Sequence, residues 1–394
     1  MKALEKIIGR KKSIFYEDLR QITSTLDKIV SKSTFLVLGG AGSVGQAVSK
    51  EIIKRNPIAL HVVDINENNL VELVRDIRSS NFSFNSDFKT FPLDIGSKTY
   101  DSFFLGNGNY DYVINLSAIK HVRSEKDIYS LTRMIEVNIL NTIKTIEQSI
   151  KKGVKKYFCV STDKATNPVN LMGASKRAME LVLIDYSEDI EVSSARFANI
   201  AFSDGSLLNG FINRLNKKQP FSAPIDVRRY FMSEKEAGEL CLISCLAGDN
   251  RDIFFPTLSP KDELKSFKNI AETILSSHGY KAFECDEEIA KREINDLIRS
   301  KKWPCIFSKS NTTGEKSFEE FYKPGDEVDT KSFNNIGIIK FFRTENVELK
   351  FFYEKIIKHS QKMNLDKAEI IKTFKKIIPE FHHVEKKYNL DQKM

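Results

Sequence analysis

A hydroxyl, an acid and a base stand side by side at residues 162–164, in the part of the sequence best suited to proton transfer. Thr162 precedes Asp163 and Lys164, and the apolar run before them is typical of a strand that ends there. An adjacent carboxyl and amino group can give a proton to one atom of a substrate and take one from another. An isolated Asp–Lys pair is usually a surface ion pair, but Lys176 follows in the next predicted helix. We therefore assign these residues to a candidate catalytic site.

A second chemical signal is the glycine-rich turn at residues 39–45. Gly39, Gly42 and Gly45 are spaced as GxxGxxG, after an apolar strand pattern and before a helical one. Glycines allow a tight turn and a close approach of the backbone to a diphosphate. The following helix offers free N–H groups and the positive end of its dipole. The turn therefore predicts a dinucleotide site.

Asp64 strengthens this prediction, because it ends the second predicted strand, where a carboxylate accepts hydrogen bonds from the adenosine ribose. The same carboxylate would repel a 2′-phosphate, and residues 65–67 contain no Arg or Lys, which favours NAD over NADP. Asp94 and Ile95 follow the third strand and are expected to meet the adenine. The residues expected to bind NAD are Gly39, Gly42, Ser43, Val44, Gly45, Asp64, Asn66, Asp94, Ile95, Ser117, Ala118, Lys120 and Lys176.

These sites need a sheet to hold them, and the hydrophobic pattern predicts one. Apolar runs typical of buried strands occur at residues 34–38, 59–63, 88–93, 112–116, 156–160 and 193–197. Helical periodicity separates them, and repeated strand–helix units of this kind form parallel sheets with right-handed crossovers. We predict an α/β fold: a Rossmann-type doubly wound parallel sheet, a smaller C-terminal substrate-binding lobe, and helical N- and C-terminal extensions.

The expected domain boundaries follow from the same pattern. Residues 1–32 are predicted to form the helical N-terminal extension and residues 33–205 the NAD-binding domain. Residues 206–345 are expected to be mainly the substrate-binding lobe, with interleaved Rossmann elements. Residues 346–394 carry Phe351, Ile356 and Ile357 at helical spacing and predict amphipathic helices packed on the body or on a partner.

Composition excludes several classes of protein. The chain has 61 Lys and Arg against 53 Asp and Glu, but this net charge of +8 is spread out, which favours solvated helix faces over nucleic-acid binding. The five cysteines contain no CxxC, and the six histidines form no ligand pattern, so we expect neither a disulfide framework nor a metal site. No apolar run is long enough to cross a membrane, and the first residues do not resemble a signal peptide. We expect a cytoplasmic protein without an integral membrane segment.

The stretch STDKATNPVNLMGASK at residues 161–176, together with the glycine turn, resembles the polysaccharide-biosynthesis branch of the extended short-chain dehydrogenases/reductases. Four shorter stretches resemble further motifs of that branch: residues 119–122, 196–199, 229–233 and 314–316. Its members are nucleotide-sugar 4,6-dehydratases with tightly bound NAD. The resemblance covers about residues 33–325, and it also implies a homo-oligomer.

Two positions depart from the pattern of the wider family. The tyrosine of the usual Tyr-x-x-x-Lys pair is Met172, and methionine can act neither as an acid nor as a base. A configuration-retaining branch of the 4,6-dehydratases also carries Met there, so Met172 points to that branch. The Arg and Pro of the family's RPGEK motif are Thr312 and Thr313, which bears on the choice between uridine and guanosine.

The resemblance implies a role for each candidate. Oxidation at C4 of the sugar makes the C5 proton acidic, Lys164 removes that proton, Asp163 protonates the departing C6 hydroxyl, and the hydride returns to C6. Thr162 would hydrogen-bond O4 and relay its proton, and Lys176 would hold the nicotinamide ribose. The residues expected to contact the substrate are Lys120, His121, Asn199, Ser206, Arg229 and Glu315.

The expected reaction is the 4,6-dehydration of UDP-N-acetylglucosamine, with C5 configuration retained, for bacterial surface-glycan or deoxy-amino-sugar biosynthesis. Three alternatives stay open: the GDP-linked sugar as substrate, a C4 epimerase or 4-keto reductase of the same fold, and a non-catalytic NAD-binding scaffold. Epimerases and reductases of this type typically keep the tyrosine and lack the Asp–Lys pair. The missing tyrosine motivates the scaffold, and the retention of Thr162, Asp163, Lys164 and Lys176 argues against it.

Overall fold

The structure is a computed structural model that describes residues 2–107, 109–259, 263–310, 316, 318, 320–342, 347–360 and 366–384. Its strands are β1 Thr34–Leu38, β2 Ala59–Asp64, β3 Asp87–Pro92, β4 Tyr112–Asn115, β5 Lys156–Thr162, β6 Glu191–Phe197, β7 Asn199–Ile200, β8 Phe221–Pro224, β9 Arg228–Arg229, β10 Phe231–Met232, β11 Asp252–Pro256, β12 Lys265–Ser266, β13 Lys281–Glu284, β14 Lys302–Ser308, β15 Val328–Asp329 and β16 Ile336–Lys340.

Helices connect and cover these strands. They are α1 Lys2–Ile8, α2 Tyr16–Val30, α3 Ser43–Ile53, α4 Glu67–Arg78, α5 Lys98–Asn107, α6 Ile128–Ile135, α7 Asn141–Lys151, α8 Leu171–Asp185, α9 Leu207–Asn216, α10 Glu234–Ala247, α11 Phe267–Ser277, α12 Glu287–Arg292, α13 Ile294–Arg299, α14 Val347–Ser360 and α15 Lys367–Ile377. A π-helical segment, Glu136–Leu140, joins α6 to α7.

The central sheet has nine strands among the described residues, in the order β15-β16-β11-β6-β5-β4-β1-β2-β3. Neighbouring strands from β3 to β11 pair in parallel, and β16 and β15 add an antiparallel edge. Strands such as β1 and β5 are almost continuously buried, because helices cover both faces of the sheet. The chain leaves β1 for β2 on one side and returns to β4 on the other, so a crevice opens at their carboxyl ends. This arrangement confirms the predicted α/β fold of Rossmann type.

A smaller lobe sits beside the carboxyl edge of the sheet. It contains a three-stranded parallel sheet, β13-β14-β8, and two short strand pairs, β10-β7 and β12-β9. Its own apolar cluster includes Phe211, Phe221 and Trp303, all fully or nearly fully buried. The lobe therefore has a core separate from that of the large sheet.

Both terminal extensions pack on the body. Ile7 and Ile8 of α1 enter the core of the small lobe, whereas Leu26 and Val30 of α2 enter the core of the large sheet. Arg10 lies between these helices, and its guanidinium binds both carboxylate oxygens of Glu236 on α10, at 2.7 and 2.9 Å. The N-terminal extension thus ties the two lobes together.

The C-terminal extension covers helix α8. Helices α14 and α15 share one apolar cluster with α6 and α8, to which Phe352, Ile356 and Phe374 contribute. Of the three residues expected on the packed face, Ile356 is buried, but Phe351 and Ile357 are 41% and 43% exposed. The helical C-terminal extension is confirmed. Its helices pack on the body through a buried stripe that includes Phe352 and Ile356, while Phe351 and Ile357 lie at its exposed margin.

Candidate active site

A cleft of about 1020 Å³ opens at the carboxyl ends of the parallel strands and continues into the small lobe. Its walls bring together residues far apart in the sequence, from the glycine turn at 39–45 to the end of β14. Among the residues predicted from the sequence, the following line it: Gly39, Gly42, Ser43, Val44, Gly45, Asp64, Asp94, Ile95, Ser117, Ala118, Lys120, His121, Thr162, Lys164, Met172, Lys176, Asn199, Ser206 and Arg229. Residues of the large sheet and of the small lobe thus line one common site.

The glycine turn is held tightly against β2 and β4. Gly39 has a φ of +71°, and a Cβ there would meet the Ser117 backbone nitrogen at 2.6 Å. A Cβ at Gly45 would collide with the Gly39 carbonyl oxygen. At Gly42, by contrast, the nearest atom to a Cβ would be 3.8 Å away, so the turn leaves space on the side of the cleft. No side chain caps the first turn of α3 in the described structure, so its N–H groups can serve an anion.

Asp64 stands at the mouth of the cleft and supports the turn. One carboxylate oxygen accepts the Ala41 N–H at 2.9 Å and the other accepts the Asn66 N–H at 2.9 Å. The carboxylate is only partly buried, so it is able to accept further hydrogen bonds. Asn66 itself does not line the cleft: its exposed side chain caps α4 by accepting the Asn69 N–H at 3.0 Å. The sequence pattern missed this, because an Asn beside a strand end serves equally well as a helix cap.

Near Asp94, the cleft is lined by the buried side-chain amide of Asn141. Asn141 is 7% exposed, lines the cleft beside Asp94 and Gly96, and its Nδ2 has no hydrogen-bond partner among the described residues. Asp94 is paired with Arg133 at 2.9 Å. A buried amide nitrogen without a partner is costly unless a ligand accepts its hydrogen bond. Together with the space at Gly42 and the carboxylate of Asp64, these groups fit an adenine dinucleotide.

Lys120 and His121 form the wall between the two lobes. Burial lowers the pKa of Lys120, although Asp204 and Glu234 oppose that shift. Burial also lowers the pKa of His121, and the charges of Lys120 and Arg123 lower it further, which favours the neutral imidazole. The His121 ring packs on Gly205, where a Cβ would lie 2.8 Å from Nε2.

The acid and base at the end of β5 form one hydrogen-bonded unit. The Thr162 hydroxyl donates to Asp163 Oδ1 at 2.8 Å, and Lys164 Nζ donates to the same oxygen at 3.0 Å. Thr162 and Lys164 line the cleft, but Asp163 is 1% exposed and lies behind them. Its second oxygen, Oδ2, is buried and has no hydrogen-bond partner among the described residues. Thr162 and Lys164 are thus the groups through which this carboxyl group contacts the cleft.

Helix α8 supplies the opposite wall. Met172 is 2% exposed, borders the cleft and packs into the apolar cluster beneath α8. Lys176 is one turn further along, and its ammonium donates to the Val160 carbonyl at 3.0 Å. Burial lowers the pKa of Lys176. A lysine thus faces the cleft where the pattern Tyr-x-x-x-Lys predicts one, with a thioether in place of the phenol.

A buried ion-pair network supports the catalytic stretch from behind. The carboxylate of Glu180 accepts the Ser161 hydroxyl at 2.6 Å and two hydrogen bonds from Arg196, each at 2.8 Å. Arg177 adds a contact at 3.0 Å. Burial alone would raise the pKa of Glu180, but Arg196 and Arg177 outweigh it and hold that pKa at about 2. The network fixes the end of β5 to α8.

The small lobe completes the cleft. Ser206 borders the cleft, and its hydroxyl also caps α9 by accepting the Asn209 N–H at 3.2 Å. Arg229 is 5% exposed and donates to the Lys316 carbonyl at 3.1 Å, so it is not a surface charge. Asn199 lies in the short pair β7-β10. Glu315, the remaining predicted substrate contact, lies outside the described residues.

Several cleft residues carried no local signal in the sequence. Arg123, Arg133, Asn141, Arg214 and Lys309 line the cleft, but each sits in a segment without a recognisable motif. Among the described residues, no group of three or more His, Cys, Asp or Glu could hold a metal ion. Within the same part of the chain, every helix is too short or too polar to cross a bilayer.

The sequence matches the polysaccharide biosynthesis protein family over residues 35–340. An uncharacterized membrane protein of Methanocaldococcus jannaschii is 31% identical, over 65% of this chain and 76% of that protein. The capsular polysaccharide biosynthesis protein CapD of Staphylococcus aureus is 30% identical over 58% of this chain, and the match spans 38% of its length. A UDP-glucose 4-epimerase of Rickettsia massiliae is 28% identical, over 68% of this chain and 82% of that protein.

Solved structures share the fold. Pen from Bacillus thuringiensis superposes with a TM-score of 0.65 at 20% identity, covering 83% of this chain and 98% of that one. A dTDP-glucose 4,6-dehydratase of Streptomyces venezuelae, determined with NAD bound, superposes with a TM-score of 0.55 at 16% identity, covering 73% of this chain and 87% of that one. The family match covers residues 35–340, which include the glycine turn and the 162–164 unit. This chain therefore belongs to the polysaccharide biosynthesis protein family.

Proposed function

We propose that this protein is an NAD-dependent nucleotide-sugar 4,6-dehydratase that acts on UDP-N-acetylglucosamine and retains the configuration at C5. The observation that carries the proposal is the hydrogen-bonded unit of Thr162, Asp163 and Lys164 on the wall of a dinucleotide cleft. A dehydration of this kind needs one group that moves a proton at O4, one that takes the C5 proton, and one that protonates the leaving hydroxyl. The unit contains a candidate for each.

The cleft has the groups needed to hold NAD. The first turn of α3 would hold the diphosphate, Asp64 the adenosine ribose, Asn141 and Asp94 the adenine, and Lys176 the nicotinamide ribose. Bound there, NAD⁺ supplies the capacity to accept a hydride and to give it back. Since the hydride removed from C4 is the one delivered to C6, the overall reaction consumes no reductant.

The protons move through the protein's own residues. Thr162 takes the O4 proton while its own proton passes to Asp163, whose Oδ1 it already contacts. Lys164, acting as the base, then removes the C5 proton, which is acidic beside the C4 ketone. Asp163 returns its proton through Thr162 to the C6 oxygen, and water leaves. Lys164 finally gives the proton back to C5, so that every proton is accounted for.

Two features agree with this scheme. Asp163 is buried, its Oδ2 has no partner among the described residues, and its Oδ1 contacts both Thr162 and Lys164, so it lies where the relay needs it. Lys164 lines one wall of the cleft, so it would return the C5 proton to the face from which it removed it and the configuration would be retained. Met172 offers no proton, and the relay through Thr162 and Asp163 makes a phenol at that position unnecessary.

A C4 epimerase is the second candidate, because five sequence relatives from Rickettsia carry the name UDP-glucose 4-epimerase. The epimerase would need a reversible proton transfer at O4 and no base at C5. The position of Lys164, bonded to Asp163 and facing the cleft, favours the dehydratase. A GDP-linked sugar is the alternative substrate, since Thr312 and Thr313 replace the Arg and Pro of the related motif.

The deciding experiment is proton NMR of the purified protein with UDP-N-acetylglucosamine in heavy water, without added reductant. We expect a new C6 methyl signal, with deuterium at C5 and couplings that show retention. Inversion at C4 without a methyl signal would establish the epimerase instead. A methyl signal only with GDP-N-acetylglucosamine would correct the nucleotide, and no turnover with either sugar would contradict the catalytic proposal.

A further inference from the structure

The C-terminal segment 378–384, which we call the C-terminal strap, lies outside the family match at residues 35–340 and packs behind the wall of the cleft that α8 forms. The strap runs along the loop that precedes α8. The His382 N–H donates to the Pro168 carbonyl at 3.1 Å, and the Val384 N–H donates to the Val169 carbonyl at 3.0 Å. Phe381, 1% exposed, anchors it in the apolar cluster that contains Met172.

A buried carboxylate joins the strap to both walls of the cleft. Glu125 is 5% exposed and ends the short turn that follows Lys120 and His121. Its Oε1 accepts the Leu171 N–H at 2.9 Å, which is the first N–H of α8. Its Oε2 is hydrogen-bonded to His383 Nε2 at 3.0 Å. A carboxylate at a helix N-terminus is favourable, and the histidine satisfies the oxygen that faces away from the helix.

The start of α8 in turn fixes the catalytic lysine. Gly173 packs directly on the backbone of Lys164: a Cβ at Gly173 would collide with the Lys164 carbonyl oxygen. Asn170 caps the same turn by accepting the Gly173 N–H at 2.7 Å. A shift of this first turn therefore moves Lys164 and Met172 together, because no side chain lies between them to absorb it.

We propose that His383 is a positioning residue, which acts through Glu125 to hold the first turn of α8, and with it Lys164, in the geometry that catalysis needs. The histidine touches neither substrate nor cofactor. The inference rests on the proposed function for its effect on turnover, but its effect on the first turn of α8 is independent of the reaction. The strap thus supports the active site from outside residues 35–340, the span that matches the family.

The test compares His383→Ala with His382→Ala, a neighbouring histidine whose side chain is exposed. In His383→Ala we expect amide exchange of a peptide covering residues 168–175 to rise about five- to tenfold, as the Glu125 clamp loosens. We expect kcat to fall about ten- to hundredfold with little change in KM, because a small misplacement of a catalytic group costs this much. His382→Ala should resemble the wild type in both measurements.

Rescue separates positioning from general packing. His383→Gln keeps an N–H donor near the position of Nε2 and should restore slow exchange and most of kcat, whereas the shorter side chain of His383→Asn should not. If His383→Ala does not fold, the comparison of His383→Gln with His383→Asn serves as the test. Equal exchange and equal kcat in the Gln and Asn variants would overturn the inference. If the wild type turns over no nucleotide sugar, the proposed function fails, and the exchange data still decide the role of His383.

Discussion

Two glycines of the same turn should respond in opposite ways to the addition of one methyl group. At Gly45 a Cβ would collide with the Gly39 carbonyl oxygen and lie 2.5 Å from the Gly40 Cα and carbonyl carbon. These are backbone atoms that cannot turn aside, so we expect Gly45→Ala to cost about 1–3 kcal/mol or more of folding stability. At Gly42 the nearest atom is 3.8 Å away and φ is −72°, which alanine adopts freely. Gly42→Ala should change stability by less than about 1 kcal/mol.

The effect of Gly42→Ala should appear in cofactor binding. Its methyl group would stand where the backbone and the first turn of α3 are expected to approach the diphosphate. The loss of one charge-assisted hydrogen bond, about 1.5–3 kcal/mol, corresponds to about a ten- to hundredfold weaker Kd for NAD⁺. Isothermal titration with NAD⁺ measures the affinity, and urea unfolding of the cofactor-free protein measures the stability.

The two variants control each other. Gly42→Ala should be stable and bind poorly, while Gly45→Ala should already be destabilised without cofactor. A Gly42→Ala variant that binds NAD⁺ within twofold of the wild type would refute the placement of the diphosphate at this turn. Equal stability of the two variants would refute the packing argument.

Lys164→Ala should lower kcat by about 10²–10⁴-fold, the usual contribution of a catalytic base, while NAD⁺ affinity stays unchanged; intact activity would remove Lys164 from the mechanism. Glu180 has a folded pKa of about 2, below its ordinary value of 4.5, so its share of stability is complete above pH 4.5 and is lost as the pH falls toward 2. Glu180→Gln, which leaves the buried Arg196 without its charge partner, should destabilise by about 3–5 kcal/mol in urea and weaken this acid dependence. Arg10→Ala should lower the free energy of unfolding by about 2–3 kcal/mol, because the buried Glu236 carboxylate loses its bidentate partner. An unchanged urea midpoint would show that the N-terminal extension does not tie the lobes together.

The sequence alone determined the fold class and most of the cleft, because both depend on local patterns. Alternating strand and helix patterns predict a parallel sheet, and the turn at residues 39–45 must follow β1 wherever the rest of the chain goes. Once that sheet forms, strand ends such as Asp64, Asp94 and Thr162 must gather at one edge. The predicted strand boundaries were accurate to within one or two residues, since apolar runs end where burial ends.

Only the tertiary structure decided how deeply each side chain is buried and which distant residues contact each other. The spacing placed Asp163 beside Thr162 and Lys164, but packing against α8 put its carboxylate behind them, so the proposed mechanism passes its proton through Thr162. Asn66 had the spacing of a cofactor contact, but its side chain caps α4 by accepting the Asn69 N–H.

The link from His383 to Glu125 spans 258 residues, and no periodicity or motif connects them. Local patterns report which face of an element is buried, because each residue's neighbours along the chain fix its direction. They do not report which distant element covers that face. That choice belongs to the folded chain as a whole, and here it brought the C-terminal strap to the start of α8.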